Sequence, residues 1–201
     1  MKIGIDLDNT LICYDNAFQR VAREEGLLPP AFEGNKVTVK RVLHEERPDG
    51  YLWQKLQGLV YGRRIDAAEL FPGVPAFFAA ARARGDEVVI VSHKTELAHH
   101  DPLRTDLLVA ALEWMERNRF FAADGLGLDR ARVHFEGTRE GKVERIAALG
   151  CEVFVDDLVE VLGHADMPAG CRKILFGRDP DHDFEQYTSW DDVRAALFRP
   201  S

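Results

Sequence analysis

Two aspartates and a threonine follow the first apolar stretch of the chain at intervals of two residues. Asp6, Asp8 and Thr10 come after residues 1–5, whose sequence Met-Lys-Ile-Gly-Ile predicts a short buried strand. Residues two apart along a strand share a side, so the two carboxylates would lie close together. At a separation of about 4 Å they would repel by about 4 kcal/mol in a medium of effective dielectric near 20. This repulsion suggests a bound cation or a chemical role, with a turn that leads into a helix N-cap as the alternative.

Polar residues also follow the later apolar stretches of the chain. Four further strands are predicted, the last of them over residues 173–176. The other three end at chemically useful side chains: residues 87–91 before Ser92-His93-Lys94, residues 132–135 before Glu136, and residues 152–155 before Asp156-Asp157. Helices between these strands predict an α/β fold with a mainly parallel sheet. The carboxyl ends of parallel strands share the edge where such folds bind ligands. Acids from two strands that meet there need a cation, and an all-oxygen site suits Mg²⁺.

With these motifs the chain resembles the haloacid dehalogenase-like (HAD) superfamily of phosphohydrolases. The resemblance rests on four elements in that family's order: Asp6-Leu7-Asp8-Asn9-Thr10 (the DxDxT signature) after a strand, Ser92 after residues 88–91, Lys142 at a helix start, and Asp156-Asp157 after Val153-Phe154-Val155. It implies a Rossmann-like three-layer core formed by residues 1–13 and 73–201. Residues 14–72, whose apolar spacing predicts helices, would be a small helical cap of the C1 type.

The resemblance also implies a role for each motif residue. Asp6 would be the nucleophile that forms an aspartyl-phosphate, and Asp8 would protonate the leaving oxygen and then deprotonate water. The expected catalytic residues are Asp6, Asp8, Ser92 and Lys142; the expected substrate-binding residues are Thr10, Ser92, His93, Arg63 and Arg64; the expected Mg²⁺ ligands are Asp6, the Asp8 carbonyl, Asp156 and Asp157.

The implied activity is Mg²⁺-dependent hydrolysis of a small phosphomonoester, such as a sugar phosphate or a nucleotide. Two alternatives remain: a phosphomutase or phosphotransferase with the same residues, and a non-catalytic protein that binds phosphorylated metabolites. A dehalogenase is disfavoured, because those relatives do not keep a second acid at the position of Asp8.

Some assignments stay open at the level of sequence. Lys94, two residues beyond Ser92, competes with Lys142 for the role of the lysine that neutralises the phosphate. Asp157 could bind the metal directly or cap the following helix. The apolar stripe of Trp53, Leu59 and Val60 suits either a homodimer interface or the core of the cap.

Composition narrows the class of partner. A net charge of −8 disfavours a nucleic-acid polymer, which would need a basic surface. The three cysteines lack a CxxC spacing, so neither zinc nor a disulfide framework is indicated, and Cys151 and Cys171 are expected in the core. We expect a cytoplasmic protein, since no signal peptide is evident and no apolar run approaches the length of about 20 residues that a membrane span needs.

One long helix is predicted to begin at Asp101-Pro102, with Asp as the cap and Pro at the first helical position. Its apolar face would include Leu103 and Leu107. A helix is also favoured for residues 35–46, although Val37-Thr38-Val39 alternates like a strand. Residues 51–61 carry a regular helical stripe.

Overall fold

A computed structural model of the protein describes residues 1–198. The strands are β1 (Lys2–Ile5), β2 (Ile12–Cys13), β3 (Glu69–Leu70), β4 (Glu87–His93), β5 (Val133–Glu136), β6 (Val153–Asp156), β7 (Arg172–Phe176) and β8 (Glu185–Tyr187). The α-helices are α1 (Asp15–Glu24), α2 (Lys36–Glu46), α3 (Tyr51–Tyr61), α4 (Val74–Arg84), α5 (Leu107–Arg117), α6 (Arg139–Leu149), α7 (Val159–Leu162) and α8 (Trp190–Leu197), with short 3₁₀ helices at Ile65–Ala67 and Arg130–Arg132.

Six parallel strands form the main sheet in the order β5-β4-β1-β6-β7-β8. This is the doubly wound order, in which the chain reverses direction across the sheet at β1. Strand β1 therefore lies between β4 and β6, and Ile5 is in register with Ile90 on one side and Val155 on the other. The predicted α/β fold with a parallel sheet is confirmed. Its consequence is that residues following β1, β4 and β6 emerge beside one another.

Close packing against β6 explains the glycine in the middle of β1. A Cβ atom at Gly4 would lie 2.5 Å from a ring carbon of Phe154 and 2.9 Å from the sulfur of Cys151. Cys151 and Cys171 are both buried, as expected, and belong to an apolar cluster with Phe154. Burial raises the pKa of each thiol to about 11, so both stay neutral near pH 7.

Packing divides the described chain into two compact units. The first contains Met1–Ile12, Leu70–Lys94 and the chain from Asn118 onward, and the second contains Cys13–Glu69 and Thr95–Arg117. The second unit is thus larger than the predicted cap, because it includes a segment that the sequence analysis placed in the core. Residues 199–201 of the predicted core range lie outside the described residues.

Helix α5 belongs to the second unit because its apolar face packs there. The indole of Trp114 is buried, and its Nε1 donates a hydrogen bond to the carbonyl of Ala68 at 3.3 Å. Trp53, Leu59 and Val60 are also buried within the chain, at 7%, 2% and 0% exposure. These three residues therefore form core, and a homodimer stays a prediction.

The prediction of a helix that begins at Asp101-Pro102 is wrong, since α5 begins at Leu107. The carboxylate of Asp101 accepts hydrogen bonds from the backbone N–H of Leu103 and Thr105 and from the Thr105 hydroxyl, and so holds a turn in place of a helix. Leu103 is 69% exposed as a result. Asp106 caps α5 by accepting N–H groups two and three residues further on, at 2.9 and 3.0 Å.

Other local expectations are confirmed. Residues 36–46 form α2, and the Asn35 side chain caps it by accepting the N–H of Thr38 at 3.0 Å. Helix α3 has the predicted bounds. Among the described residues, no helix combines the length and the apolar character that crossing a membrane would require.

Candidate active site

The loop after β1 is a tight turn that carries the paired acids. The Asp6 N–H donates to the carbonyl of Val155 at 2.9 Å, which ties the start of the loop to β6. The N–H groups of Leu11 and Ile12 both return to the carbonyl of Leu7, at 3.0 and 2.9 Å. Asn9 adopts a φ of 59°, a left-handed conformation that Asn tolerates better than most residues. Sequence and backbone thus agree on a fixed loop.

Three carboxylates converge at the carboxyl end of β1 and β6. Asp6, Asp156 and Asp157 each offer an oxygen, and these oxygens all lie within 4.8 Å of one another. Asp156 is fully buried, Asp6 is 4% exposed and Asp157 is half-buried. The parallel pairing of β1 with β6 produces this cluster, because Ile5 and Val155 are neighbours and the acids follow them directly.

Lys142 lies between two of these acids. Its Nζ donates a hydrogen bond to Asp6 Oδ1 at 2.6 Å and forms an ion pair with Asp156 Oδ2 at 2.7 Å. The side chain, which is 1% exposed, comes from the first turn of α6, where Thr138 caps the helix by accepting the N–H of Gly141 at 3.0 Å. This cap fixes the start of α6 and therefore the position of Lys142 relative to the acids.

Charge and burial oppose each other in this cluster. Burial disfavours the charged form of Lys142, but the carboxylates of Asp6 and Asp156 outweigh it, so the pKa of Lys142 lies above its ordinary value. Burial raises the pKa of the Asp156 carboxyl to about 6, and the ammonium of Lys142 acts in the opposite direction. The lysine is therefore cationic at neutral pH, and Asp156 holds its proton more tightly than an exposed aspartate does.

A second buried lysine contacts the other acid of the loop. Lys94 Nζ donates a hydrogen bond to Asp8 Oδ2 at 2.6 Å, and its side chain is 2% exposed. The sequence offered Lys94 and Lys142 as competitors for one role, but the structure places each on a different acid. The pairing of Lys94 with Asp8 was missed at the level of sequence. A signal existed, because Ser92 and Lys94 are two residues apart and so share a side of an extended strand.

Ser92 and Thr10 present buried hydroxyls to this region. Neither Ser92 Oγ nor Thr10 Oγ1 has a hydrogen-bond partner among the described residues, and the two residues are 1% and 0% exposed. Buried hydroxyls normally have partners, so such an atom calls for a ligand or another explanation. Ser92 was expected just after its strand, but β4 continues through His93 and Ser92 pairs with Phe135 inside it.

The site residues fit a divalent cation with oxygen ligands. Two aspartates of the loop and two at the end of β6 carry four negative charges, and Lys94 and Lys142 supply two positive charges, which leaves an excess of two negative charges. Hard oxygen donors with partial burial are what Mg²⁺ prefers. Asp156 Oδ1 already accepts the N–H of Leu158 at 2.9 Å, so its other oxygen faces the cluster.

The remaining predicted substrate-binding residues have contacts other than those with the acids and lysines described above. His93 is at the end of β4 in the first unit, and its Nε2 lies 3.2 Å from the carbonyl of Gly137. Arg63 and Arg64 belong to the second unit and line a groove of about 670 Å³ there. Arg64 is held by ion pairs with Glu24 and, at 2.8 Å, Glu25. The substrate roles of these residues stay predictions.

An indole from the end of the chain supports the loop. Trp190 Nε1 donates a hydrogen bond to the carbonyl of Thr10 at 2.8 Å, and the side chain is fully buried. The ring stacks on Phe176 with centroids 5.4 Å apart and meets the edge of Phe77 at 4.7 Å. Local sequence patterns could not predict this contact, because the two residues are 180 positions apart.

Comparison with known proteins shows which solved structures resemble this chain. Neither a protein-family model nor a curated protein matches the chain. Solved structures do match it over nearly its whole length. A HAD-superfamily hydrolase of subfamily IA, variant 1, from Geobacter sulfurreducens PCA has a TM-score of 0.57 at 12% identity, covering 98% of this chain and 95% of that one.

Two further solved structures are similar to the chain in the same way. A haloacid dehalogenase-like hydrolase from Burkholderia xenovorans LB400 has a TM-score of 0.54 at 16% identity, covering 98% of this chain and 95% of that one. A protein described as a dehalogenase has a TM-score of 0.53 at 16% identity, with coverage of 99% and 97%. At such low identities the likeness concerns the fold, and it confirms the expectation drawn from the motifs: the chain has the HAD-like fold.

Proposed function

We propose that the protein is a Mg²⁺-dependent phosphatase that hydrolyses a small phosphomonoester through an aspartyl-phosphate on Asp6. The observation that carries the proposal is the position of Lys142, whose buried ammonium lies within 2.7 Å of both Asp6 and Asp156. A nucleophilic carboxylate that approaches an anionic phosphate needs such a fixed positive charge nearby. The HAD-like hydrolases among the structural neighbours agree with a hydrolytic role.

In the first step, Asp6 attacks the phosphorus and the bond to the leaving oxygen breaks. Asp8 donates a proton to that oxygen, a role typically worth about 10²–10⁴-fold in rate. In the second step, Asp8 takes a proton from water, the water oxygen bonds to phosphorus, and inorganic phosphate leaves Asp6. Splitting the transfer into two displacements is covalent catalysis.

The remaining residues stabilise charge on the phosphoryl group. The Ser92 hydroxyl, which is buried without a described partner, donates a hydrogen bond to a phosphoryl oxygen. Lys142 neutralises charge shared by Asp6 and the phosphate. Asp6, Asp156, Asp157 and the Asp8 carbonyl would hold Mg²⁺, which would supply further neutralisation of the phosphoryl oxygens.

A dehalogenase is the main competing activity, since one structural neighbour is described as one. Asp8 argues against it here. When a carbon–halogen bond breaks, the halide ion leaves without a proton. The alkoxide that leaves a phosphomonoester, in contrast, needs to be protonated. The pairing of Asp8 with the buried Lys94 indicates that this second acid has a defined place in the site.

Purified protein should hydrolyse p-nitrophenyl phosphate only when Mg²⁺ is present, and Asp6→Asn should abolish the reaction. A chelator should stop the wild-type reaction and added Mg²⁺ should restore it. Product analysis should find inorganic phosphate rather than phosphate moved to a second metabolite, which would indicate a phosphotransferase or mutase. If wild-type protein with Mg²⁺ hydrolyses no member of a broad panel of phosphomonoesters, the proposal fails and the binding-protein alternative gains.

A further inference from the structure

We propose that Lys94 is a positioning residue that holds the carboxyl group of Asp8 in the orientation needed for proton transfer to the leaving oxygen. This inference rests on the proposed function, because it assigns a task within that reaction. Its basis is the contact of 2.6 Å between Lys94 Nζ and Asp8 Oδ2, which lies at the site but involves neither Asp6 nor Asp156. The two lysines of the site therefore serve different acids.

The side chains of Lys94 and Asp8 differ in their exposure to solvent. The Lys94 side chain is 2% exposed, whereas that of Asp8 is 18% exposed. The ammonium thus approaches from inside the protein, and the carboxylate keeps an accessible side. A proton donor needs both properties, since it must reach the substrate and yet not rotate freely.

The backbone around Lys94 is fixed by the sheet. Strand β4 pairs with β5 through His93, which is in register with Glu136. The pairing is extended by the N–H of Lys94, which donates to the carbonyl of Glu136 at 3.0 Å. Alternation along the strand puts Ser92 and Lys94 on one side. Ser92, which is proposed to bind phosphate, and Lys94, which contacts Asp8, are thus both held by the pairing of β4 with β5.

Asp8 needs such a restraint more than Asp6 does. The Asp6 N–H donates a hydrogen bond to the carbonyl of Val155 in β6, and the Asp6 carboxylate contacts the buried Lys142. Asp8 lies further along the loop, next to Asn9 with its left-handed φ. A buried ion pair is a weak source of stability because desolvation offsets the attraction between the charges. Holding a catalytic group in place explains the burial of Lys94 better than stability does.

The test compares two substrates that differ in their need for a proton. The phenol released from phenyl phosphate is a poor leaving group, whereas the p-nitrophenol released from p-nitrophenyl phosphate leaves readily without protonation. Lys94→Met should lower kcat/KM for phenyl phosphate on the order of tenfold more than for p-nitrophenyl phosphate, as expected when general-acid catalysis is impaired. The ratio of the two values is independent of the folded fraction, so partial unfolding of the variant cannot imitate this result.

Three further proteins complete the comparison. Lys94→Arg keeps a cation and should restore part of the ratio. Asp8→Asn should show the steep leaving-group dependence by itself, and adding Lys94→Met to it should change the ratio little, because the two residues act through one step. Lys2→Met removes a surface lysine that lies 3.8 Å from Glu87 and should leave both rates unchanged.

Each outcome bears on the inference. A selective loss with phenyl phosphate that disappears in the Asp8→Asn background supports it. Equal losses with both substrates, or no loss in Lys94→Met, overturn it while wild-type turnover keeps the proposed function intact. Absence of turnover in the wild-type protein overturns the proposed function and this inference together, and the wild-type control makes that case recognisable.

Discussion

Lys142 Nζ lies 2.6 Å from Asp6 Oδ1, although the two residues are 136 positions apart in the sequence. The contact joins the loop after β1 to the first turn of α6, and Asp156 from β6 shares the same ammonium. A buried cation that bridges two buried carboxylates makes each group dependent on the others. Stability and the proposed chemistry of this site should therefore respond together to substitution and to Mg²⁺.

Removing the ammonium should destabilise the metal-free protein strongly. Lys142→Met leaves two buried carboxylates without their cation, and breaking a buried pair in this way typically costs about 3–5 kcal/mol of unfolding free energy. Urea unfolding in the presence of a chelator measures the loss. Lys2→Met is the matched control, because its ion pair with Glu87 is partly exposed and such pairs contribute about 1 kcal/mol or less. Equal, small losses in both variants would contradict the described contacts.

Mg²⁺ should stabilise the protein in a pH-dependent way. The pKa of Asp156 is raised to about 6 by burial, so the folded metal-free protein binds this proton more tightly than the unfolded chain. That contribution to stability is present below the unfolded pKa near 4 and is lost as pH rises through about 6. Mg²⁺ competes with the same proton and should therefore stabilise more above pH 6 than below it.

Thermal unfolding with and without Mg²⁺, at about pH 5 and about pH 7.5, checks this linkage. A concentration of 100 times Kd would add about 2.7 kcal/mol at the higher pH. Asp156→Asn should lose most of the Mg²⁺-induced shift. A shift of the same size at both pH values, or one that survives Asp156→Asn, would mean that the cation binds elsewhere.

Ser92→Ala should reduce activity without reducing stability. The Ser92 hydroxyl has no hydrogen-bond partner among the described residues, so its removal leaves no protein group unsatisfied. Loss of one donor to a phosphoryl oxygen should lower kcat by about a hundredfold. Ser189→Ala is the opposite control, because Ser189 caps α8 by accepting the N–H of Asp192 and its loss should cost about 1 kcal/mol of stability. Unchanged turnover in Ser92→Ala would remove that residue from the mechanism.

Trp190→Phe should impair both stability and turnover. The change leaves the buried carbonyl of Thr10 without its indole donor, at a cost of about 1–3 kcal/mol. Since Thr10 follows Asp6 and Asp8 on one loop, turnover per folded molecule should fall as well. Trp114→Phe removes a comparable indole bond, to the carbonyl of Ala68, and serves as the control for stability alone. The same activity per folded molecule in both variants would show that Trp190 does not position the loop.

The convergence of the acids could be predicted from sequence because it follows from strand order. Asp6 comes directly after β1, Asp156 is the last residue of β6, and parallel neighbours end at one edge. The carboxylates and the HAD-like fold were therefore accessible to pattern reasoning.

Features that depend on long-range contacts could not be predicted from the sequence. Strand β4 runs two residues past its apolar stretch because β5 continues to pair with it, which places Ser92 and His93 inside the strand. The pairing of β8 with β7 extends the sheet at residues whose sequence, Glu185-Gln186-Tyr187, carries no strand alternation.

Competition between side chain and backbone explains the helix that was placed too early. Asp101 followed by Pro102 is typical of a helix start, yet the Asp101 carboxylate bonds the N–H groups of Leu103 and Thr105 and stabilises a turn. Asp106 then offers the same type of cap five residues later. Sequence alone does not distinguish two adjacent candidate caps, because the choice depends on which start buries the apolar face of α5.

Acid quenching during turnover shows directly whether Asp6 carries the phosphoryl group. Protein mixed with p-nitrophenyl phosphate and Mg²⁺ is quenched in acid, which preserves acyl phosphates, and its peptides are analysed by mass spectrometry. We expect one phosphoryl group on the peptide that contains Asp6, sensitive to hydroxylamine and absent from Asp6→Asn. Steady turnover without any labelled protein, or a phosphoryl group on another residue, would contradict it.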